Sequence, residues 1–136
     1  MSDFQGLYDI RDMVETDKAF IMATWLRGLF YGDSWFSQIP KEIFMNSYKR
    51  IADQLLSSPG VRVRVACLKE DRDVILGYSV VSADDRAVIW IFVKTAWRQQ
   101  GIAKSLVPQS VVYATLLTTL GKELMSKRNL KFNPFY

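Results

Sequence analysis

The sequence predicts a single α/β domain, in which helices flank a sheet that contains an antiparallel meander. Its 136 residues, 49% of them hydrophobic and 24% charged, match the size and composition of one globular unit with one core. Apolar residues recur at helical spacing in some segments, and alternate or run continuously in others. No repeat, low-complexity tract or linker divides the chain, so residues 1–136 are interpreted as one domain.

The first part of the chain predicts one strand and two helices. Residues 5–11 form a short candidate strand, and apolar residues four positions apart indicate a helix over 17–31. The segment 31–40 interrupts that pattern, and Pro40 suits the first position of a second helix because an N–H is not needed there. Residues 57–60, Ser-Ser-Pro-Gly, would end this second helix.

Three strands are predicted next, joined by short polar turns. Residues 61–65 alternate valine and arginine, which is typical of a strand with one buried face, and 74–81 and 87–93 form the other two strands. Because the turns at 69–73 and 82–86 are short and charged, we expect an antiparallel meander. The run 87–93 is apolar on both faces, which favours a central strand covered on both sides.

The last part of the chain predicts two helices and two strands. A helix begins after Gln100, and Pro108 should bend it because proline cannot donate the helical hydrogen bond to Lys104. Residues 111–117 are rich in β-formers and predict a strand. A helix over 119–128 and a short strand over 130–136 complete the chain.

The composition excludes several kinds of chemistry. The chain contains no histidine and a single cysteine, Cys67, so it can form no internal disulfide and no histidine-based nucleophilic site. Cys67 lies in a strand-like segment and is interpreted as a small buried residue. Acid–base roles must therefore fall to carboxylates, lysine, tyrosine or water.

The charge and the apolar pattern indicate the class of partner and the compartment. A net charge of +4 and a pI near 9.3 suit a nucleic acid or an acidic cofactor. The basic residues are dispersed, which disfavours a nucleic-acid partner. The N-terminus has no secretory pattern, and no apolar run approaches the ~20 residues of a membrane span. We therefore expect a cytoplasmic protein that is not inserted in a membrane.

The segment 93–106 carries the strongest functional signal. It predicts the end of a buried strand, a tight turn and the start of a helix, an arrangement that brings free N–H groups to one point and suits a diphosphate. Gly101 would let a diphosphate approach the main chain, and the small side chain of Ala103 would keep the first helical turn open. Arg98 and Lys104 would add positive charge.

The order of the predicted elements, with Arg98-Gln99-Gln100-Gly101-Ile102-Ala103 opening the central helix, resembles the GCN5-related N-acetyltransferase (GNAT) superfamily. The acetyl-coenzyme A motif of that family is Q/R-x-x-G-x-G/A, which this hexapeptide matches. The chain is also similar to short family members encoded by bacteriophages, for which the compartment would be the host cytoplasm. The resemblance implies a GNAT-like domain with a central mixed, mostly antiparallel sheet flanked by helices.

The resemblance also implies acetyl-coenzyme A as co-substrate, no metal, and an amine of a small molecule or protein as acceptor. The main chain of Phe92 and Val93 would pair with the pantetheine arm, and an N–H of the same strand would face the thioester oxygen as charge develops there. The cofactor contacts so implied are Phe92, Val93, Arg98, Gln99, Gln100, Gly101, Ile102, Ala103, Lys104 and Ser105.

Candidate proton-transfer residues are less well defined. The predicted strand 87–93 contains no acidic residue, although many family members place a base near it. Asp33 lies in the loop where the family builds its acceptor site and is the candidate base. Thr118 and Tyr136 are candidate partners of the leaving thiol. Asp84 and Asp85 are interpreted as turn residues.

Two other function classes are weighed against an acetyltransferase. A family member without catalytic activity, working as a coenzyme A-binding or interaction module, would account for the missing base, and a small basic nucleic-acid binder would account for the charge. The chain also offers one terminal strand where the family has a hairpin, so the acceptor cleft would be open or completed by a second subunit in a homodimer. Tyr31, Trp35 and Phe36 would line that cleft, form a dimer contact or pack in the core.

Overall fold

The structure is a computed structural model that describes residues 6–32, 35–98, 101–115, 119–133 and 136. Within these ranges the structure contains six strands, four α-helices and three short 3-10 helices, at Glu15–Asp17, Phe36–Gln38 and Thr95–Trp97. The strands are β1 (Tyr8–Asp12), β2 (Val61–Leu68), β3 (Ile75–Ser82), β4 (Ala87–Val93), β5 (Tyr113–Ala114) and β6 (Lys131–Phe132). The helices are α1 (Lys18–Gly32), α2 (Lys41–Leu56), α3 (Ile102–Leu106) and α4 (Thr119–Arg128).

The six strands form one sheet in which every strand neighbours the next strand along the chain. β1 to β4 are antiparallel to one another, whereas β4 pairs with β5, and β5 with β6, in parallel. The predicted meander and the mixed, mostly antiparallel sheet flanked by helices are therefore confirmed. The bounds predicted for β4 and α4 agree with the structure, and β3 is buried along its whole length.

Three elements of the last third differ from the prediction. Pro108 ends the central helix instead of bending it: α3 stops at Leu106, and Val107 is extended with φ −112° and ψ 115°, as expected for a residue before proline. The described part of the predicted strand 111–117 pairs only at Tyr113 and Ala114, and β6 spans two residues of the predicted 130–136. The region after β4 is thus built from shorter elements than the sequence pattern predicts.

One face of the sheet packs against α1 and α2 through large aromatic side chains. The indole of Trp25 on α1 stacks on that of Trp90 on β4, with ring centroids 5.9 Å apart. Gly28 makes this possible, since a Cβ there would lie 3.0 Å from the Trp90 ring. The buried Tyr78 hydroxyl donates to the Ile21 carbonyl and accepts from Trp90 Nε1 at 3.1 Å. Burial raises the pKa of Tyr78, so its phenol stays neutral in this core.

The opposite face of the sheet packs against α3 and α4. The side chains of Ile102 and Leu106 on α3 are buried against the sheet residues Ala66, Leu76 and Val93. A second buried cluster joins the β3–β4 hairpin to the last third of the chain. Both faces of β4 are therefore covered, as the sequence predicts for a central strand.

An ion pair fixes the start of α1 against the edge strand β1. The guanidinium of Arg11 donates two hydrogen bonds to the Asp17 carboxylate, at 2.6 and 3.0 Å, and both side chains are largely buried. These bonds, with the Val14 N–H, hold the pKa of Asp17 below its ordinary value. None of the described helices combines the length and apolar character required to cross a bilayer.

Candidate functional site

Among the described residues, the parallel strands β4 and β5 pair over a very short distance, and the space beside the unpaired part of β4 is called the wedge below. Their paired residues are Ala87 with Tyr113 and Val88 with Ala114, and the last described main-chain bond runs from the Thr115 N–H to the Val88 carbonyl. β4 itself continues to Val93. The outer edge of β4 beyond Val88 is therefore not paired with the described residues of β5.

A bulge marks the point where the two strands separate. Val80 of β3 lies opposite Trp90, and Val81 lies opposite Val88, so Ile89 is the extra residue on β4. The Thr115 hydroxyl donates to the Ile89 carbonyl at 3.4 Å. Four residues of β4 follow this bulge, which gives the open edge a length of about 13 Å at ~3.3 Å per residue.

The register of β4 shows which main-chain groups face the wedge. The Lys94 N–H donates to the Leu76 carbonyl on β3, and bonded and non-bonded residues alternate along an antiparallel pair. Phe92, opposite Tyr78, therefore directs its main chain towards β3, whereas Ile91 and Val93 direct theirs towards the wedge. Of the two residues predicted to pair with a ligand arm, Val93 directs its main chain towards the wedge, whereas Phe92 directs its main chain towards β3.

The loop after β4 presents its main chain to solvent at Gly101. This residue has φ +85° and ψ 1° and immediately precedes α3, a left-handed conformation that favours glycine. A Cβ built on Gly101 would meet no atom within 4 Å, so the space in front of it is open. The N–H groups of the first turn of α3 have no acceptor within the helix. The loop can therefore receive a group that approaches the main chain closely.

Three side chains from distant parts of the chain hold α3 in place. The buried Ser79 hydroxyl on β3 donates to the Leu106 carbonyl at 2.8 Å, and Arg128 on α4 donates to the carbonyls of Lys104 and Pro108 at 3.0 Å each. The Tyr8 hydroxyl lies 3.1 Å from the Ser105 hydroxyl. A helix of five residues has little intrinsic stability, so these contacts fix the orientation of the loop.

The predicted cofactor residues fall into two groups. The side chain of Ile102 is buried and that of Ala103 is half-buried against the sheet, so both serve packing while their N–H groups lie in the exposed first turn. Lys104 and Ser105 are exposed, and the Ser105 hydroxyl donates to the Gly101 carbonyl at 3.0 Å. The helix is too short for a strong dipole, so individual N–H groups must provide the attraction for an anion. Gln99 and Gln100 lie outside the described residues.

Arg98 connects the loop to the wedge. Its Nε donates to the Val93 carbonyl at 2.9 Å, which is one of the main-chain groups that face the open side of β4. The rest of the side chain reaches solvent, and the part of the chain that the structure describes gives Arg98 no carboxylate partner. The terminal nitrogens of this guanidinium are therefore available to an anion at the loop.

The structure places Tyr136 at the β3–β4 hairpin, and its expected role at the leaving thiol stays a prediction. Its hydroxyl donates to the Asp84 carboxylate in the β3–β4 hairpin, and its ring packs on that of Tyr113. Tyr113 pairs with Ala87, so these contacts lie beside the end of β4 that pairs with β5, opposite the end that leads to the Gly101 loop. The hydrogen bond to Asp84 raises the pKa of the Tyr136 phenol. Asp33 and Thr118 lie outside the described residues, and their catalytic roles stay predictions.

The acidic residues of the β3–β4 hairpin have structural partners, as the sequence predicts for turn residues. The Asp84 carboxylate accepts from the Ser82 hydroxyl at 2.6 Å, and this bond is the main cause that lowers the pKa of Asp84. Asp85 adopts φ 58° and accepts from Arg62 at 3.2 Å. Neither side chain belongs to the wedge.

The aromatic segment after α1 divides between core and surface. Phe36 packs on Phe44 of α2, while Tyr31 and Trp35 are 63% and 66% exposed. Lys41 Nζ donates to the Tyr31 hydroxyl at 3.0 Å and lies 5.4 Å from the ring centroid. One of the three aromatic residues thus belongs to the core, and two face solvent.

Sequence reasoning missed several residues that shape this region. Thr115 and Ser79 look like ordinary β-formers, and Tyr8 and Arg128 lie at opposite ends of the chain. The signal for Ser79 is a small polar residue inside an otherwise apolar strand, since a buried hydroxyl needs a partner. For the other three, the sequence carries no local signal. Across the described residues, no group of three or more His, Cys, Asp or Glu side chains could hold a metal ion.

The overall architecture is that of known acetyltransferase structures. A predicted acetyltransferase from Clostridium acetobutylicum, solved with acetyl-CoA, gives a TM-score of 0.66 at 11% identity and covers 96% of this chain and 94% of that chain. A proposed acetyl transferase from Pyrococcus furiosus gives 0.59 at 19% identity, covering 92% and 78%.

A third similar structure is described as a GCN5-related N-acetyltransferase from Rhodopseudomonas palustris. Its TM-score is 0.52 at 14% identity, covering 90% of this chain and 68% of that chain. No protein-family model matches the sequence, and no curated protein matches it. At these identities the likeness establishes the fold that the chain shares with GNAT acetyltransferases.

Proposed function

We propose that this protein is a GCN5-related N-acetyltransferase that transfers the acetyl group of acetyl-coenzyme A to an amine of a small molecule or protein. The observation that carries the proposal is the wedge beside β4, which ends at a loop with open space in front of Gly101. A ligand that filled both would combine an extended, hydrogen-bonding arm with an anionic group at its end. Coenzyme A has this shape and charge.

The residues of the loop would hold the diphosphate. The N–H groups of Ile102, Ala103 and Lys104 lie in the first turn of α3, and Gly101 has no side chain to keep an anion away from them. Arg98 and Lys104 would add charge-assisted contacts. Ser79 and Arg128 would keep the loop in position before any ligand arrives, which lowers the cost of ordering it.

The outer edge of β4 would hold the pantetheine arm in the manner of an added strand. The main-chain groups of Ile91 and Val93 face the wedge, and amides of the arm would pair with them. The thioester would then lie towards the bulge at Ile89, where the strands meet. A main-chain N–H of β4 pointing into the wedge would stabilise negative charge on the thioester oxygen.

The transfer itself requires one nucleophile and one leaving group. The neutral amine nitrogen forms a bond to the acetyl carbon, the C–S bond breaks, and the thiolate takes up a proton as the amine releases one. β4 and α1 contain no acidic residue, and we propose Asp33, which follows α1 in the sequence, as the carboxylate base. This role of Asp33 and that of Thr118 as thiol partner are part of the proposal.

The absence of carboxylates from β4 and α1 favours a second candidate function. In that case the chain binds coenzyme A by the same wedge and loop but transfers nothing, and works as a binding or interaction module. The two candidates share the binding site and differ only in turnover.

Ligand-induced thermal stabilisation tests the binding site. Acetyl-coenzyme A at a hundred times its dissociation constant should add roughly 2.7 kcal/mol to the free energy of unfolding. Gly101→Glu should abolish this stabilisation, because its carboxylate would occupy the space in front of the loop and repel a diphosphate. Gly60→Glu is the matched control: it adds the same charge at an exposed turn before β2, at the other end of the sheet, where only the Ser58 hydroxyl is close. Stabilisation that survives Gly101→Glu would remove the loop from the site.

Thiol release during incubation with a panel of amines and peptides separates the two candidates. Turnover that requires an amine and is lost in Gly101→Glu supports the acetyltransferase. Stabilisation by acetyl-coenzyme A without release of thiol on any amine of the panel supports the binding module. No stabilisation of the wild-type chain would contradict both.

A further inference from the structure

The hydrogen bond from Arg98 occupies the Val93 carbonyl, which the proposed cofactor arm would need as an acceptor. Arg98 Nε donates to the Val93 carbonyl at 2.9 Å in a partly buried position. By the register of β4, that carbonyl faces the wedge. An exposed strand edge with unpaired carbonyls attracts any extended chain. Arg98 thus covers the last acceptor of the open edge with a group from the same molecule.

The two parts of the proposed ligand, the amide-bearing arm and the diphosphate, would therefore both act on the contact between Arg98 and Val93. An amide N–H of an arm that adds to β4 and the Nε–H of Arg98 require the same carbonyl oxygen. The diphosphate, in contrast, attracts the guanidinium itself, and the loop that would receive it begins only three residues further on, at Gly101. Because Arg98 has no carboxylate partner within the described ranges, no ion pair has to break when the guanidinium moves.

We infer that Arg98 competes with the pantetheine arm for the Val93 carbonyl, and that a diphosphate ends the competition by drawing the guanidinium to the loop. This inference rests on the proposed function. It makes Arg98 a residue that determines specificity for the donor: the arm gains its acceptor on β4 only when a diphosphate is attached to it. Thioesters of pantetheine without a diphosphate would meet an occupied strand edge.

The coupling between the two halves of the ligand gives a sharp test with two probes. Acetyl-coenzyme A carries arm and diphosphate, whereas acetyl-pantetheine carries the arm alone. In Arg98→Ala we expect the dissociation constant for acetyl-coenzyme A to rise at least tenfold, since a charged contact to phosphate is lost. For acetyl-pantetheine we expect it to fall about threefold, because the Val93 carbonyl is left free for the arm.

Arg27→Ala is the matched control for these measurements. It removes the same side chain and the same charge from an exposed position on α1, on the face of the sheet opposite α3. We expect it to change both dissociation constants by less than a factor of two. Arg98→Lys distinguishes charge from geometry: lysine keeps the positive charge but has no Nε–H in this position, so it should bind acetyl-pantetheine like Arg98→Ala.

Opposite changes for the two probes support the inference. A parallel weakening of both probes would overturn it, because Arg98 would then be a simple support of the site, and no change in either would overturn it as well. If the wild-type protein binds neither probe, both the proposed function and the inference are contradicted. In every other outcome the wild-type protein binds acetyl-coenzyme A, so the inference can fail while the proposed function stands.

A spectroscopic readout tests the contact without relying on affinity. In the free protein the Arg98 Nε–H should give an assignable nitrogen–proton signal protected by the Val93 carbonyl, identified by its loss in Arg98→Lys. Acetyl-coenzyme A should shift this signal and the Val93 carbonyl carbon signal together. Acetyl-coenzyme A that binds while leaving both signals unchanged would contradict the displacement of Arg98.

Discussion

The two edges of β4 differ in how completely they are paired. The inner edge pairs with β3 from Val88 to Val93, with one bulge, whereas among the described residues the outer edge pairs with β5 at Ala87 and Val88. Both edges belong to the same apolar segment and to the same strand. The difference shows that the two edges of one apolar strand can be paired to different extents, since the pairing depends on the neighbouring strand as well as on β4. Stability should therefore depend mainly on the inner side, and ligand binding on the outer side.

The largest effect on stability is expected from Trp90→Ala on the inner side. The substitution removes the stack on Trp25 and the hydrogen bond to Tyr78, and leaves a cavity beside Gly28. We expect a loss of about 3–5 kcal/mol in the free energy of unfolding, measured by urea denaturation. Phe132→Ala, at an exposed position on the outer strand β6, should cost about 0.5 kcal/mol or less. Equal losses for the two variants would contradict the proposed division of roles.

Asp17→Asn tests the ion pair that fixes α1 to the antiparallel part of the sheet. Loss of the charged contact with Arg11 should cost about 2 kcal/mol at pH 7. The pKa of Asp17 is lowered in the folded state, so its contribution is complete above the ordinary carboxyl pKa and disappears as the pH falls through the lowered folded value. The difference between wild type and variant should therefore shrink below about pH 4.

Asp53→Asn is the control for that measurement. Asp53 pairs with Lys18 at 2.8 Å, but its side chain is more than half exposed, so the substitution should cost less than about 1 kcal/mol. A difference between wild type and Asp17→Asn that stayed constant from pH 7 to pH 2 would show that the carboxylate charge of Asp17 is not what stabilises the fold.

Two glycine substitutions compare the edges directly. At Gly77 a Cβ would lie 2.6 Å from the Phe92 carbonyl on the inner side, and we expect Gly77→Ala to cost about 1–3 kcal/mol in stability. At Gly101 a Cβ meets open space but φ is +85°, so Gly101→Ala should cost about 1 kcal/mol.

For ligand binding we expect the reverse order, in which Gly101→Ala loses more affinity than Gly77→Ala. Gly101→Ala should weaken acetyl-coenzyme A at least tenfold in a calorimetric titration, because the methyl group stands in front of the loop. Gly77→Ala should retain affinity within a few fold at a temperature where it is folded. A larger loss of affinity in Gly77→Ala than in Gly101→Ala would contradict the expectation that ligand binding depends on the outer side of β4.

A small effect on stability is expected from Arg128→Met, which removes the link from α4 to the carbonyls of Lys104 and Pro108. We expect about 1 kcal/mol in stability, together with a threefold to tenfold weaker affinity for acetyl-coenzyme A because α3 is less firmly oriented. Lys127→Met, at the exposed neighbouring position, should change neither quantity measurably. Arg128→Met with unchanged affinity would show that α3 needs no support from α4.

Local patterns of the sequence predict the inner side of the sheet well. The apolar run of β4 and the turns on either side of β3 are short-range signals, and the meander follows from them. The position of Gly101 in a left-handed conformation before α3 is likewise a local property of the loop. These features depend on residues that are close in sequence, so they can be predicted from the sequence alone.

The outer side depends on contacts between distant residues. The bulge at Ile89 depends on the pairing of β4 with β3 on one edge and with β5 on the other. The orientation of α3 depends on Ser79, which lies 27 residues before its partner Leu106. Tyr136 is fixed by Asp84, 52 positions earlier. No periodicity in the sequence encodes such pairs, which is why the placement of Tyr136 and the main-chain orientation of Ile91 could not be predicted.

The stacked indoles of Trp25 and Trp90 also give the protein an internal optical reporter. Trp90 follows the bulge where the wedge closes, and Trp97 stands in the turn between β4 and the Gly101 loop, so two of the four tryptophans of the chain flank the region of interest. Indole emission depends on polarity and on nearby quenching groups. Occupation of the wedge should therefore be visible in the native fluorescence of the unlabelled chain, without any dye or engineered probe.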